Sequence, residues 1–182
     1  MSRPDKELVT LAQAGNMEAF DELVGLHQER VYALAYRILN NCEDASDIQQ
    51  ETFISAWRNI QKFRGESSFA TWLHKITVNL CLSRKRRRQT IALEPFIEEN
   101  LTAFDGRPCM EATDTSIAVR KVLAVMPVHY RVLLVLKDME GRSFEEIAQI
   151  LKCSVSGART RASRARNMLR DKMHSYLVED TK

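Results

Sequence analysis

The chain has 182 residues, with 27 Lys and Arg against 24 Asp and Glu and a net charge of +3 at pH 7. That length holds one or two domains, and the composition is that of an ordinary globular protein, neither disordered nor fibrous. No apolar stretch reaches the length of a membrane span and residues 1–6 lack the apolar run of a signal peptide, so a cytoplasmic protein is expected.

Asp5 to Ala14 reads as a short helix with Leu8, Val9, Leu11 and Ala12 as its apolar content. Gly15-Asn16 ends it and caps the next one. Ala19, Phe20, Leu23, Val24 and Leu26, then Val31, Leu34, Ala35, Ile38 and Leu39, carry a helical apolar pattern onward. Asn41 is placed to cap a further helix whose opening turns hold Glu43, Asp44 and Asp47, where the helix dipole favours negative charge. Ala45, Ile48, Thr52, Ala56, Ile60 and Phe63 make its apolar face. Asp47, Gln50, Glu51, Ile54 and Arg58 fall largely on the other, which suits either solvent or a polar protein contact.

Arg64-Gly65-Glu66-Ser67-Ser68 is a turn-forming cluster in which Ser67 or Ser68 caps the next helix. Phe69, Trp72, Leu73, Ile76 and Leu80 mark one face of that helix, and Thr71, His74, Lys75, Asn79, Ser83 and Arg84 lie off it. Asn pairs with base edges, Lys and Arg meet phosphates, and aromatic rings stack on unpaired bases. The five adjacent bases Arg84-Lys85-Arg86-Arg87-Arg88 fit either a solvated run or a phosphate-binding patch.

From Gln89 to Ser116 six acids face one base, and Pro95, Gly106 and Pro108 interrupt the chain, which marks an acidic, flexible linker. Its charge, lying between two basic segments, suggests that it folds back over DNA-binding surfaces in the free protein. Ile117 to Lys172 reads as a second helical domain in which Pro127 starts a helix running to Met139. Ser143-Phe144-Glu145-Glu146 is a capping box, the helix 144–151 is short, and Lys152-Cys153-Ser154 is a tight connection to another helix. Helix, brief turn, helix is the arrangement that sets its second member in the DNA major groove. In that second helix Val155, Ala158, Ala162, Ala165 and Leu169 line a buried stripe. Ser156, Thr160, Ser163, Arg164 and Asn167 project outward, with Arg159 and Arg170 on the flank. Seven bases against one acid between Lys152 and Lys172 give the electrostatic footprint of a DNA reader.

The fold class expected is therefore all-α: two small helical domains, residues 1–88 and 117–182, joined by a flexible linker over 89–116, the C-terminal one a helix-turn-helix. Cys42, Cys81, Cys109 and Cys153 are scattered with no C-x-x-C pair, and His27, His74, His129 and His174 build no neighbouring metal site or nucleophile–base pair with them. Reduced thiols, no metal, no cofactor, no small-molecule substrate and no enzymatic activity are expected.

The stretch Asp44-Ala-Ser-Asp-Ile-Gln-Gln-Glu-Thr-Phe-Ile-Ser-Ala-Trp57, followed by Phe63-Arg-Gly-Glu-Ser-Ser-Phe-Ala-Thr-Trp-Leu-His-Lys-Ile-Thr-Val-Asn-Leu80, closely resembles the extracytoplasmic-function sigma factors of bacterial RNA polymerase, in the sigma-70 family. The segment Cys153–Arg166 is similar to that family's recognition helix. The resemblance implies polymerase clamp binding through Asp47, Gln50, Glu51, Phe53 and Trp57. It implies −10 element recognition, melting and trapping of a flipped non-template base by Arg64, Ser67, Ser68, Phe69, Lys75, Asn79 and Arg84. It implies −35 element contacts from Ser156, Arg159, Thr160, Ser163 and Arg164, a linker path toward the polymerase active-site cleft, and control by an anti-sigma factor, often from the membrane. Ala158 and Ala162 stand where many relatives carry larger aliphatic residues, and Arg161 and Arg166 lie nearer the buried side, open to phosphates or to acids within the domain. The alternative is a stand-alone helix-turn-helix transcriptional regulator whose N-terminal domain senses a ligand or dimerises.

Overall fold

The computed structural model describes residues 4–91 and 114–179. The interior of the acidic segment, with Cys109 and the expected fold-back over the basic surfaces, lies outside the described residues. Among those described, every regular element is helical. Helix α1 (Asp5–Gln13) ends at Gly15, whose φ of 92° is a left-handed conformation that glycine adopts without a Cβ clash. Asn16 then caps α2 (Met17–Leu39), its side chain accepting from the Ala19 N–H at 2.9 Å. Two adjacent asparagines make the next corner. Asn40 closes α2 in the left-handed conformation, and Asn41 opens α3 (Cys42–Asn59) by accepting from the Asp44 N–H at 2.8 Å. After a 3₁₀ turn at Ile60–Lys62, the Ser68 hydroxyl accepts the Thr71 N–H at 3.1 Å and begins α4 (Phe69–Ile91).

Beyond the acidic segment come α5 (Asp114–Ala124) and α6 (Val128–Leu134), the latter following Pro127. Where a regular helix to Met139 is expected, the last turn, Val135–Met139, widens to π-type bonding, and the Glu140 N–H reaches the Val135 carbonyl at 2.9 Å. The expected capping box is present. Ser143 Oγ accepts the Glu146 N–H at 3.1 Å and Glu146 Oε2 accepts the Ser143 N–H at 2.9 Å, starting α7 (Phe144–Leu151). Lys152, left-handed at φ 51°, makes the tight turn into α8 (Val155–Glu179).

The N-terminal helices enclose one apolar cluster built around Leu8, Phe20, Leu23, Val31, Phe53, Phe69 and Leu73. A second cluster belongs to both halves of the chain. Leu34, Ile38, Leu39, Ile48 and Val78 from α2, α3 and α4 share it with Val132, Leu133, Leu136, Ile147 and Ile150 from the C-terminal helices. The helix-turn-helix unit thus sits directly on α2 and α4. Cys81, a free thiol in this shared core, is pushed up to about 12 by burial and is inert as a nucleophile at neutral pH. Cys153 is free as well. Cys42 departs from the expectation of reduced thiols and is disulfide-bonded.

Polar groups stitch the same seam. Arg131, only 3% exposed, donates to the Ile38 carbonyl at 2.6 Å, the Ala124 carbonyl at 2.6 Å and the Met126 carbonyl at 3.0 Å. It fastens the end of α2 to the α5–α6 corner, and burial lowers its pKa to about 10, which leaves it charged at neutral pH. Arg37 pairs with Glu140 across the seam. Arg142 donates to Thr71 Oγ1 at 3.1 Å and Glu146 Oε1 at 2.9 Å, and its Nη2 lies 3.0 Å from His74 Nδ1. His74 is 2% exposed, and burial, then the Arg142 charge, push its imidazole down from 6.5 to about 4. His27 and Arg30 on α2 act in the same direction, and Glu146 opposes them.

Two outcomes follow. Arg131→Ala leaves buried carbonyls without their donor and is expected to lower unfolding free energy by about 3 kcal/mol, measured by urea denaturation at pH 7. His74 contributes stability that is fully present above its unfolded pKa and is lost as pH falls from 6.5 toward 4. Between pH 7.5 and pH 5.5 the protein should lose about 1 kcal/mol more than His74→Gln, which keeps an acceptor for Arg142 without a titrating ring.

Candidate nucleic-acid and partner interface

On α3 the exposed face holds Asp47, Gln50 and Glu51, continued by Ile54 and Arg58. Ile54, at 50% exposure, is an apolar side chain left open to solvent. Between α3 and α4 runs a groove of about 600 Å³ bordered by Glu51, Ile54, Arg58, Leu80 and Arg87. Phe53 does not belong to this face. It is 8% exposed and sits in the N-terminal core, because it lies about 60° around the helix from the buried Ala56, whereas Asp47 and Glu51 lie more than about 130° away. Trp57 is half-buried with its ring 5.0 Å from that of Phe20, so most of its surface is structural.

Arg84 is also placed differently from expectation. Its Nη1 donates to Asp44 Oδ1 and Asp47 Oδ2, each at 2.9 Å, and Asp47 leads in raising the guanidinium pKa further. Two carboxylates engage the same guanidinium nitrogen, and the consequence is structural: α4 is tied to the acidic start of α3. Farther along the run, Arg86 and Arg87 are exposed.

The turn before α4 is braced from α1. Gln13 Nε2 donates to the carbonyls of Ile60 at 2.9 Å and Phe63 at 2.8 Å, and Gly65 takes a φ of 72°. Phe69 is 4% exposed within an aromatic cluster, its ring 5.8 Å from Phe63, 5.7 Å from Trp72 and 5.4 Å from His27. It therefore supports the turn from inside and offers no face to a base, since it starts the same apolar stripe as Leu73. Arg64, Ser68 and Asn79 are exposed, and Ser67 and Lys75 are half-buried. Arg64, Ser67, Trp72 and Lys75 border a cavity of about 480 Å³ together with Gln149 and Ile150 of α7. Cations, a hydroxyl and an indole edge around one cavity are the means of holding a single-stranded nucleotide.

In α8, Ala158, Ala162 and Ala165 are fully buried, and Val155 and Leu169 are half-buried beside them. Ser154 caps the helix, accepting the Gly157 N–H at 3.0 Å. Ser156, Arg159, Thr160, Ser163 and Arg164 are all exposed, as the helical spacing requires. Thr160 Oγ1 bonds back to the Ser156 carbonyl at 3.1 Å. The Arg159 guanidinium lies 5.6 Å from the Phe144 ring centre and 3.7 Å from Glu145 Oε1, so α7 restrains its direction. Arg166 makes a surface ion pair within its own domain, with Nε donating to Asp138 Oδ2 at 3.1 Å.

Sequence reasoning missed the seam residues Arg37, Glu140, Arg131, Arg142 and His74. Arg131 carried a signal, being the one cation in the apolar run Val128–Leu136. Arg142 and His74 carried none, since their meeting depends on how two distant segments dock. Among the described residues no cluster of His, Cys, Asp and Glu is arranged to hold a metal ion, and no helix is long and apolar enough to cross a membrane.

Residues 23–91 match the family described as Sigma-70 region 2, and residues 116–169 match Sigma-70, region 4. The chain is 38% identical over 167 residues to the ECF RNA polymerase sigma factor SigE of Mycolicibacterium smegmatis, covering 90% of this chain and 65% of that protein. It is 34% identical over 186 residues to the ECF RNA polymerase sigma-E factor of Haemophilus influenzae, covering 95% of this chain and 97% of that one. Among solved structures it is similar to the sigma factor RpoE from Bartonella quintana, crystallised with the anti-sigma factor NepR, at a TM-score of 0.70 and 25% identity over 87% of this chain and 98% of that one. With both characteristic regions matched, in order and across both halves, this chain belongs to the extracytoplasmic-function sigma factors of the sigma-70 family and is not an enzyme.

Proposed function

We propose that the protein acts in the cytoplasm as a promoter-specificity subunit of RNA polymerase. The observation that carries this reading is the pairing, in one chain of this family, of an exposed acidic and amide face on α3 with an exposed cationic recognition helix in α8. Asp47, Gln50 and Glu51 dock on the core enzyme, with Ile54 as the apolar centre of the contact. Phe53 and Trp57 act behind them by holding α3 in place.

Arg64, Ser67, Ser68, Lys75 and Asn79 hold the displaced strand of the −10 element and accept one flipped base, whose unstacking costs roughly a few kcal/mol and is offset by contacts in the pocket. Ser156, Arg159, Thr160, Ser163 and Arg164 read the −35 element in the major groove. Core polymerase holds the two readers at a fixed separation, so that two individually weak contacts act together through effective concentration. Because RpoE of Bartonella quintana was crystallised with an anti-sigma factor, an inhibitor of the same kind is the partner expected to restrain this chain.

Run-off transcription with purified core RNA polymerase and a genomic promoter pool tests the whole reading. Discrete starts that depend on the protein are expected, and specific DNA binding by the protein alone with no new starts would favour the stand-alone regulator. Gln50→Ala with Glu51→Ala should weaken core binding about tenfold and leave the circular dichroism spectrum unchanged. Asn79→Ala or Lys75→Ala should leave core binding intact and reduce open-complex formation, read by permanganate footprinting, by about tenfold, the scale of one lost base contact.

A further inference from the structure

We propose that Arg84 is a positioning residue for polymerase docking: from α4 it holds the Asp47 carboxylate of α3 in the orientation in which the core enzyme meets it. This rests on the assignment of Asp47, Gln50 and Glu51 to the core-binding face.

Position along α4 separates Arg84 from the strand-holding residues. Counting along the helix, it lies about 13 Å beyond Lys75 and about 7 Å beyond Asn79. It borders the groove between α3 and α4 together with Glu51 and Ile54, whereas Arg64, Ser67, Trp72 and Lys75 border the strand-holding cavity. Arg84 therefore stands beside the docking residues of α3.

The bridge joins two unlike acids. Side-chain exposure is 5% at Asp44, 24% at Arg84 and 60% at Asp47, so the ion pairs run from the interior to the surface within one turn of α3. Two carboxylates three residues apart on one helix face repel each other. A single Nη1 donating to Asp44 Oδ1 and Asp47 Oδ2, each at 2.9 Å, replaces that repulsion by attraction. The buried end anchors the guanidinium, because withdrawing it would leave an uncompensated carboxylate that water scarcely reaches. The exposed end gains from that anchor. An aspartate on an open helix face samples several rotamers, and one already fixed loses less conformational freedom when a partner arrives.

Charge is conserved in this arrangement. A lone arginine beside Asp47 would cancel its pull on a basic partner, but two carboxylates against one guanidinium leave the group with a net charge of −1. Arg84 takes Oδ2 of Asp47, so Oδ1 can accept from a lysine or arginine of the partner. The buried Asp44 thus lets Arg84 orient the exposed acid without neutralising the face on which it stands.

A double-mutant cycle on the full-length chain tests this, with core RNA polymerase titrated against the fluorescently labelled protein. Asp47→Asn should weaken core binding about tenfold and Arg84→Gln about fivefold. The double variant should bind no more weakly than Asp47→Asn alone, because Arg84 then has no acid to orient; a tie that acted only on the fold would multiply the two losses. Asp47→Glu, at an exposed site, keeps the fold and the charge and moves the carboxylate by one methylene, so it reads the same effect should Arg84→Gln lose its circular dichroism signal. Its binding should be about fivefold weaker, and wild-type affinity would overturn the inference. Unchanged binding in a folded Arg84→Gln, or multiplied losses in the double variant, would overturn it too and leave the α3 face assigned. Unchanged binding in Asp47→Asn would remove that assignment and the inference with it. With core polymerase saturating, promoter binding by Arg84→Gln should keep the wild-type salt dependence; a logarithmic slope shallower by about 0.9 would return Arg84 to a DNA phosphate.

Discussion

The arrangement of this protein depends on the burial of one apolar face of α2 and α4 beneath α6 and α7. Ile38, Leu39 and Val78 on one side and Leu133, Leu136, Ile147 and Ile150 on the other are each 1% exposed or less. Side chains removed from water to that extent each contribute on the order of 1.5–3 kcal/mol of transfer free energy, so this face cannot be left open without something else to cover it. Apolar contact is non-directional, however, and would tolerate sliding of one half on the other. Direction comes from the polar groups at its edges: Arg131 on the end of α2, Arg37 with Glu140, and Arg142 between Thr71, His74 and Glu146. A buried donor that misses its acceptor loses its compensation for desolvation, which selects one docking geometry out of many.

The two surfaces proposed to read DNA are built by opposite devices. The recognition helix α8 keeps its stripe of alanines buried, which brings its backbone close to its support and leaves the serine, threonine and arginine side chains outside. Arg159 is steered by a ring and a carboxylate of α7, and Arg166 is paired at the surface with Asp138. The cavity before α4 is built from the inside instead. A cluster of Phe63, Phe69, Trp72 and His27, with Gln13 bonded to two backbone carbonyls, stiffens a glycine-containing turn so that exposed Arg64 and Ser68 are presented from a rigid base. Stiffness of this kind suits capture of a single strand, because the protein side is ordered before the ligand arrives.

Several charges that look alike in the chain have different fates. In the basic run that ends α4, Arg84 is held by Asp44 and Asp47 while Arg86 and Arg87 stay exposed, so a segment that reads as uniform cationic density is part brace and part surface. The acids at the start of α3 divide in the same way. Asp44 is nearly buried and Asp47 is exposed while touching Arg84, which places one carboxylate at once on the exposed face of α3 and in the tie between helices.

Periodicity and capping residues determined the local structure. Asn16, Asn41, Ser68 and Ser143 each begin the helix expected of them, because a short side-chain oxygen beside exposed N–H groups acts within one turn and needs no distant partner. The outward positions of Asp47, Gln50, Glu51, Ser156, Thr160, Ser163 and Arg164 were legible for the same reason, since the angular position of a residue on a helix follows from its number alone. Family membership was legible in the long motif from Asp44 to Leu80. Only the tertiary structure decided that Phe53 faces inward, because an aromatic at the margin of an apolar stripe goes to whichever side a neighbouring helix fills. Only it could show Arg84 bridging two acids about forty positions earlier in the chain, or Arg142 closing on Thr71 and His74. Contacts between segments that far apart depend on the docking of whole helices, and no local pattern of residue types records which faces will meet.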